Sequence, residues 1–459
     1  MNEELQIEKL KLEIEALIDS DKFLELNEYL DDVHPQDIAE IIEELDDKKI
    51  QRLFEVLPWE IAAKVLDEID AETFLLIFKD FQEEQKINII SKMSTDDITD
   101  LLLQLPESEK EEIFSLLDQE TLEDIKELMI YGEDTAGGIM TTEFVALSKD
   151  IDISRAIEYL RENAPEAETI YYTYVIDKWG KLVGVISLRE LIIGKPETLI
   201  EEIMSSQVIY VNINDDQEEV ARIVSKYDLL AVPVVDLQGK LRGIVTVDDV
   251  IDVIEEEATE DIYKFAGTSE SESDFDEEDA FFERVFSSVK ARLPWLVITL
   301  FGGILSATIL GKYEDTLNSY TAVAFFMPLL TGMGGNVGTQ SSTLTVRGLA
   351  TGNVDMKKAF KTIFQEMSIG ASVGMICSLM VFVVAMVWMK EIRLGIVVGI
   401  AMLANMITAA TIGTTVPMIF KKFGVDPAVA SAPFISTTLD ITGLTIYFTL
   451  TTTILLHIT

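Results

Sequence analysis

The sequence predicts a multidomain protein: an α-solenoid at the N-terminus, two tandem α/β modules, a long connecting helix and a five-helix transmembrane domain. Three observations predict this. Charge is split unevenly, with 24 Lys+Arg against 73 Asp+Glu in the first 279 residues but 12 against 8 in the remaining 180. The second part contains five segments free or nearly free of charge, within 293–311, 316–346, 367–389, 394–420 and 427–459. The first part contains two internal repeats of different period.

The first repeat occupies 35–129. Its units begin at Pro35, Pro58, Gln82 and Pro106, spaced 23, 24 and 24 residues apart. Each reads as two short amphipathic helices, which stack into a curved solenoid. Asp96, Asp97 and Asp100 cluster in MSTDDITDLL. A solvated acidic face is the default reading of such a cluster.

The second repeat has a period of about 60 residues: YYTYVIDKWGKLVGVISLREL (171–191) parallels LAVPVVDLQGKLRGIVTVDDV (230–250). Each is a hairpin with a glycine turn, at Gly180 and Gly239, leading into a helix. A helix precedes each, near 152–163 and 215–227. This pattern resembles tandem CBS domains. That resemblance implies adenosine-nucleotide binding through a Ser/Thr-x-x-Asp element. Thr246 and Asp249 fit it, Ser187 with Glu190 departs from it, and Tyr172, Arg189 and Glu190 are the implied nucleotide contacts.

A helix over 248–265 follows. Ile251, Ile254, Ala258, Ile262 and Phe265 form its apolar stripe, and the rest is densely acidic. Like charges this close repel one another. An acidic linker, 267–280, then leads to the membrane half. Mg2+ dehydrates reluctantly and is held through one or two carboxylates and several waters, so facing acidic surfaces make weak, numerous Mg2+ sites. No EF-hand spacing and no Walker motif is present. A net charge of −45 argues against nucleic acid as a partner. One cysteine and two histidines exclude a disulfide framework, a cysteine zinc site and a histidine-rich metal site. The acidic start MNEELQIEKL lacks the features of a cleaved signal peptide.

The five segments are long enough to cross a bilayer at about 1.5 Å per residue. Of the basic residues around them, Arg284, Lys290, Arg292, Arg347, Lys357, Lys358, Lys361, Lys421 and Lys422 fall on one side and Lys312, Lys390 and Arg393 on the other. This asymmetry places the N-terminal domains in the cytoplasm and the C-terminus outside. Asp440 is the sole acid of the last segment. A carboxylate at the bilayer centre costs about 2.5–3.5 kcal/mol, so it is normally kept for an ion or proton path. The run PLLTGMGGNVGTQ (328–340) reads as a glycine-broken helix whose freed carbonyls line a wet cavity, with Gly332, Gly335, Asn336 and Asn405 joining Asp440 along the path. Close helix packing through small residues is the alternative for the glycines, a hydrogen bond to a neighbouring helix the alternative for Asn405, and a threonine-capped carboxylate the alternative for Asp440.

In this order, the parts resemble the MgtE family of magnesium channels. The motifs that carry the resemblance are EDTAGGIMT (133–141), EEEATEDIYKFAG (255–267), PLLTGMGGNVGTQSSTLTVRGLATG (328–352) and GVDPAVASAPFISTTLDITGLTIYF (424–448). The resemblance implies a homodimer with the pore between subunits and hydrated Mg2+ held at Asp440. It implies cytosolic Mg2+ sites at Asp216, Glu218, Asp228, Asp249, Asp252, Glu257, Glu260 and Asp261, and at Asp96, Asp97 or Asp100 in the helical domain. Ala432 precedes Pro433 where the family often has asparagine. The expected domains are 1–132, 133–200, 201–250, 251–280 and 281–459. The expected function is a Mg2+-gated Mg2+ channel of the plasma (inner) membrane, with ATP as a further ligand of the CBS pair and lipid as its surroundings. The alternative is a proton- or sodium-coupled carrier for Co2+, Ni2+ or Mn2+. A membrane-embedded enzyme is disfavoured, because the spans offer no histidine and only Glu366 as a second acid.

Overall fold

The computed structural model describes residues 3–30, 33–42, 45–163, 167–268 and 281–456. It divides into two compact units, Met1–Asp252 and Val253–Thr459.

The first unit begins with ten helices: α1 (Glu3–Asp19), α2 (Phe23–Leu30), α3 (Pro35–Ile42), α4 (Asp47–Phe54), α5 (Trp59–Asp67), α6 (Ala71–Phe78), α7 (Glu83–Ile90), α8 (Thr95–Gln104), α9 (Glu107–Leu116) and α10 (Gln119–Leu128). Starts are capped locally. Asp46 accepts from the Lys49 amide at 3.1 Å, and Gln82 forms a capping box with Gln85. α3 packs on α5, α5 on α7 and α7 on α9, while α4 packs on α6 and α8 on α10. Two helices per repeat therefore stack in register with the spacing of the sequence repeat. One apolar core runs through the stack from Ile14 to Ile125.

Two small sheets follow, β1 (Phe144–Ser148), β2 (Thr169–Ile176) and β3 (Leu182–Ser187), then β4 (Val211–Asn212), β5 (Ala231–Val235) and β6 (Leu241–Thr246). In each sheet the first strand is parallel to the second, and the second antiparallel to the third. The parallel pairs enclose helices α11 (Ile153–Asn163) and α14 (Gln217–Tyr227); α12 (Leu188–Ile193) and α13 (Ile200–Ile203) lie between the sheets in sequence. Gly180 and Gly239 take left-handed φ of 79° and 77° at the hairpin turns, a conformation open to glycine. The hairpins are cross-linked by amides, Leu182 to the Gly239 carbonyl at 3.0 Å and Leu241 to the Gly180 carbonyl at 3.1 Å. The segment 136–141 pairs with the second module, through Ala136 to Asp215, Gly137 to Ile213 and Thr141 to Ile244. A Cβ at Gly138 would lie 2.3 Å from the Gly132 carbonyl oxygen, so the turn into this segment needs glycine.

The connecting helix α15 spans Val247–Ala266, close to its expected range. It ends at Gly267, φ 79°. The expected acidic linker lies outside the described residues from 269 onward.

The second unit contains α16 (Phe281–Gly311), α17 (Glu314–Ser319), α18 (Met327–Ala350), α19 (Ala359–Met389), α20 (Ile392–Lys422) and α21 (Ala432–Thr451). Among the described residues, Val285–Gly311, Met356–Met389 and Ile392–Lys422 are long and apolar enough to cross a membrane. α18 and α21 have 24 and 20 residues, about 36 and 30 Å of helix, but glycine, threonine and Asp440 make them more polar. α20 is the central element, packed against α18, α19 and α21.

One expectation is corrected here. α18 is unbroken from Met327 to Ala350, so the glycine run frees no carbonyls. Two of its glycines, Gly334 and Gly338, serve packing instead. A Cβ at Gly338 would lie 2.0 Å from Leu439 Cδ1, and a Cβ at Gly413 of α20 would lie 2.3 Å from the Gly338 carbonyl oxygen. Each helical glycine costs roughly 1 kcal/mol against alanine, which the close approach of three helices offsets.

Candidate functional site

Asp440 stands midway along α21 and is half-buried. Three threonine hydroxyls surround it in sequence. Thr437 donates to the Pro433 carbonyl at 2.7 Å, Thr438 to Phe434 at 2.9 Å and Thr442 to Thr438 at 2.9 Å. Their protons are committed to the helix backbone, so none caps the carboxylate. One turn before Asp440, Ser436 approaches α18 at Gly335, where a Cβ would lie 3.7 Å from its Oγ. Gly332, Asn336 and Gln340 recur at a four-residue interval on α18 and are all exposed. They form a small, polar face of α18. Asn405 differs from its expected pore-lining position. It is 1% exposed and lies inside the bundle of a single chain, between α18 and α21.

A second acidic constellation occupies the first unit. Ser94 caps α8 and accepts from the Asp97 amide, which places Asp96 and Asp97 in the first turn. Thr95 donates its amide to Glu143 at 3.2 Å, and its hydroxyl bonds Thr142 at 3.0 Å. Thr246 donates its amide to Asp249 at 3.2 Å, so Asp249 is placed by the start of α15. Burial, and then the charge of Asp97, pushes Asp67 up to about 8. Burial, and then Asp96, raises Glu143 and Glu168 to about 7 each. Asp249 rises to about 6 through burial, with Asp96 and Asp248 adding to it. Burial also raises Asp96 and Asp97. The Asp96 Oδ1 is buried without a hydrogen-bond partner. This is a negative well assembled from five separate parts of the chain. Among the described residues, no three or more His, Cys, Asp or Glu side chains converge closely enough to hold a bare metal ion. Its chemistry suits a hydrated divalent cation, bound through water.

The remaining expected cytosolic acids are dispersed. Asp216 caps the start of α14 and accepts from Glu218 N at 2.9 Å, while Asp228 caps its end with φ 51°. Eleven residues separate those ends, about 16 Å, too far for one ion to bridge. Asp100 and Asp252 are exposed. In the second unit, Glu257, Glu260 and Asp261 are half-buried on α15. Lys264 bridges Glu260 at 2.6 Å and Asp426 at 2.9 Å, and Asp426 also accepts from Ala428 N at 2.8 Å. Burial raises Asp261 to about 6, with Asp426 and Glu257 adding to it.

Tyr172, Arg189 and Glu190 line one cleft of about 840 Å³, together with Tyr171, Ser187 and Leu230. Glu190 accepts from the Ser187 amide at 2.9 Å and its hydroxyl at 2.8 Å, so the residue that departs from the ribose-binding element serves as a helix cap.

Sequence reasoning missed Asp67, Glu143, Glu168 and Asp426. The first three carry no local signal, because tertiary contact alone gathers them. Asp426 lies in the GVDPAVASAP run and was legible as a charge at the edge of a span.

Acidic domains joined to an apolar helical bundle that carries one acid midway along α21 fit a transporter of cations rather than an enzyme. Residues 327–450 match the MgtE family, described as a divalent cation transporter; 33–134 match the MgtE intracellular N domain, and 136–194 and 200–256 match the CBS domain. The chain is 37% identical to the magnesium transporter MgtE of Thermus thermophilus, over 96% of this chain and 97% of that one. It is 35% identical to the magnesium transporter MgtE of Bacillus subtilis, over 98% and 99%. A crystal structure of the cytosolic domain of the Mg2+ channel MgtE in complex with ATP superposes with a TM-score of 0.51 at 38% identity, covering 53% of this chain and 99% of that one. The chain belongs to the MgtE family of magnesium transporters.

Proposed function

We propose that this chain is a homodimeric Mg2+ channel, closed by Mg2+ bound to its cytosolic acids. The observation that carries the reading is Asp440, a carboxylate within a span whose neighbouring threonine hydroxyls, Thr437, Thr438 and Thr442, are engaged with the helix backbone. Asp440 from each copy would hold a hydrated Mg2+ near the twofold axis, with Gly332, Gly335 and Asn336 beside the path. Hydrated Mg2+ suits this arrangement, because two carboxylates supply outer-sphere acceptors without stripping its waters. The membrane potential drives inward flow, at about 4.6 kcal/mol per divalent ion per 100 mV.

Gating follows from the acids. At low Mg2+, Asp67, Asp96, Asp97, Glu143, Glu168 and Asp249 repel one another and oppose closure of the first unit. Mg2+ at these groups, at Asp216, Glu218, Asp228, Asp252 and Asp100, and at Glu257, Glu260, Asp261 and Asp426 would relieve that repulsion. ATP would occupy the Tyr172–Arg189–Glu190 cleft. Boundaries at 132, 200, 250 and 280 separate the working parts, with the C-terminus outside the cell.

The test is Mg2+ uptake by proteoliposomes carrying Asp440→Ala. Loss of uptake with an intact dimer is expected; wild-type uptake would remove Asp440 from the pore.

A further inference from the structure

The side chain of Asn405 is enclosed by three helices. Its Nδ2 donates to the Leu330 carbonyl of α18 at 2.7 Å. Its Oδ1 is buried without a hydrogen-bond donor. Two glycines make room for the amide. A Cβ at Gly334 of α18 would lie 2.5 Å from Nδ2, and a Cβ at Gly443 of α21 would lie 2.7 Å from Oδ1. Real Cβ atoms essentially never sit that close. The Gly443 hydrogen that stands in place of a Cβ therefore points at Oδ1, the geometry of a Cα–H···O contact between helices. Gly443 lies three residues beyond Asp440 on the same helix.

We infer that Asn405 is a positioning residue. Its amide clasps α18 and α21 onto α20, fixes the depth and rotation of α21, and so fixes where the Asp440 carboxylate stands. The inference rests on the reading of Asp440 as the ion-binding group. An amide suits this place because it offers a donor on one side and a compact acceptor on the other. Leucine has nearly the same shape but supplies neither.

Full-length Gly443→Ala, Asn405→Ala, their double variant and Asn405→Leu would be reconstituted in proteoliposomes, with Mg2+ uptake followed by an internal indicator. Gly443→Ala is expected to lower uptake about tenfold, because its methyl meets Oδ1. Asn405→Ala in that background should return uptake to the level of Asn405→Ala alone, since the methyl then fills the vacated space. Asn405→Leu should raise the half-saturating Mg2+ about tenfold while leaving the maximal rate, as loss of an interhelical hydrogen bond displaces Asp440 without unfolding the bundle. Wild-type uptake by Gly443→Ala, failure of the rescue, or unchanged half-saturation in Asn405→Leu would each overturn the inference. Thermal unfolding of Gly443→Ala, Asn405→Ala and the double variant in detergent, against wild type, adds a transport-independent cycle. Additive shifts there would refute the clasp, and non-additive shifts would support it. Normal transport by Asp440→Ala would defeat the ion-binding reading instead, and the unfolding cycle would still decide the packing claim.

Discussion

The cluster around Asp96 makes closure of the first unit depend on pH in a direction that its chemistry dictates. Asp67, Glu143, Glu168 and Asp249 reach about 8, 7, 7 and 6 from ordinary values of 3.8, 4.5, 4.5 and 3.8. All four are raised, so the closed cluster holds protons that an opened, solvated cluster releases. Its stability is complete below the ordinary carboxylate range near pH 4 and is lost as pH rises toward about 8. One retained proton sets a slope of about 1.4 kcal/mol per pH unit, a tenfold change in the opening constant. Asp67 and Glu168 are exposed, whereas Glu143 and Asp249 are half-buried, so solvent screening reduces the share of the first two. The assay is amide hydrogen exchange of peptides covering 94–104 and 246–253 in the full-length protein with a chelator present. Corrected for intrinsic exchange, protection should fall at least tenfold per unit between about pH 5 and about pH 7, since at least one proton is retained throughout that window. Millimolar Mg2+ should flatten that slope, because the cation neutralises the same carboxylates. Protection that is level or rises with pH in chelator would refute the reasoning.

Three further outcomes follow from the same geometry. The triple variant Glu257→Gln/Glu260→Gln/Asp261→Asn should keep taking up Mg2+ at concentrations that silence the wild type, read as uptake against cytosolic-side Mg2+; normal closure would remove α15 from the gate. Gly413→Ala should lower the unfolding temperature, since its methyl would meet the Gly338 carbonyl oxygen at 2.3 Å and overpacking costs about 1–3 kcal/mol; an unchanged temperature would contradict the packing role of the glycines. Arg189→Ala should weaken ATP binding about tenfold by calorimetry, the worth of a charged hydrogen bond, and unaltered binding would move the nucleotide elsewhere.

What was legible in the sequence was mostly local. The glycines at 180 and 239 mark their turns because only a left-handed backbone closes those hairpins. The connecting helix is visible as an apolar stripe at helical spacing, and it runs from Val247 to Ala266. The paired helices of the N-terminal repeat follow from their starts. β4 escaped notice because two residues carry no periodicity, and the pairing of 136–141 with the second module is non-local. The glycine run of α18 misled for a physical reason. Glycine loosens an isolated helix, but in a bundle it lets neighbours approach, and Leu439 and Gly413 occupy the space. Asp440 stood out because an acid is costly in a span. Asn405 was noticed for its polarity, whereas its role depends on two glycines in other helices, at Gly334 and Gly443.

The measurement that tests the central claim most directly is current through the reconstituted wild-type protein while Mg2+ on the side of the N-terminal domains is varied. The account predicts Mg2+ current driven by voltage alone, with open probability falling to near zero as Mg2+ on that side reaches the millimolar range. Mg2+ movement that requires a proton or sodium gradient, or current indifferent to Mg2+ on that side, would contradict it.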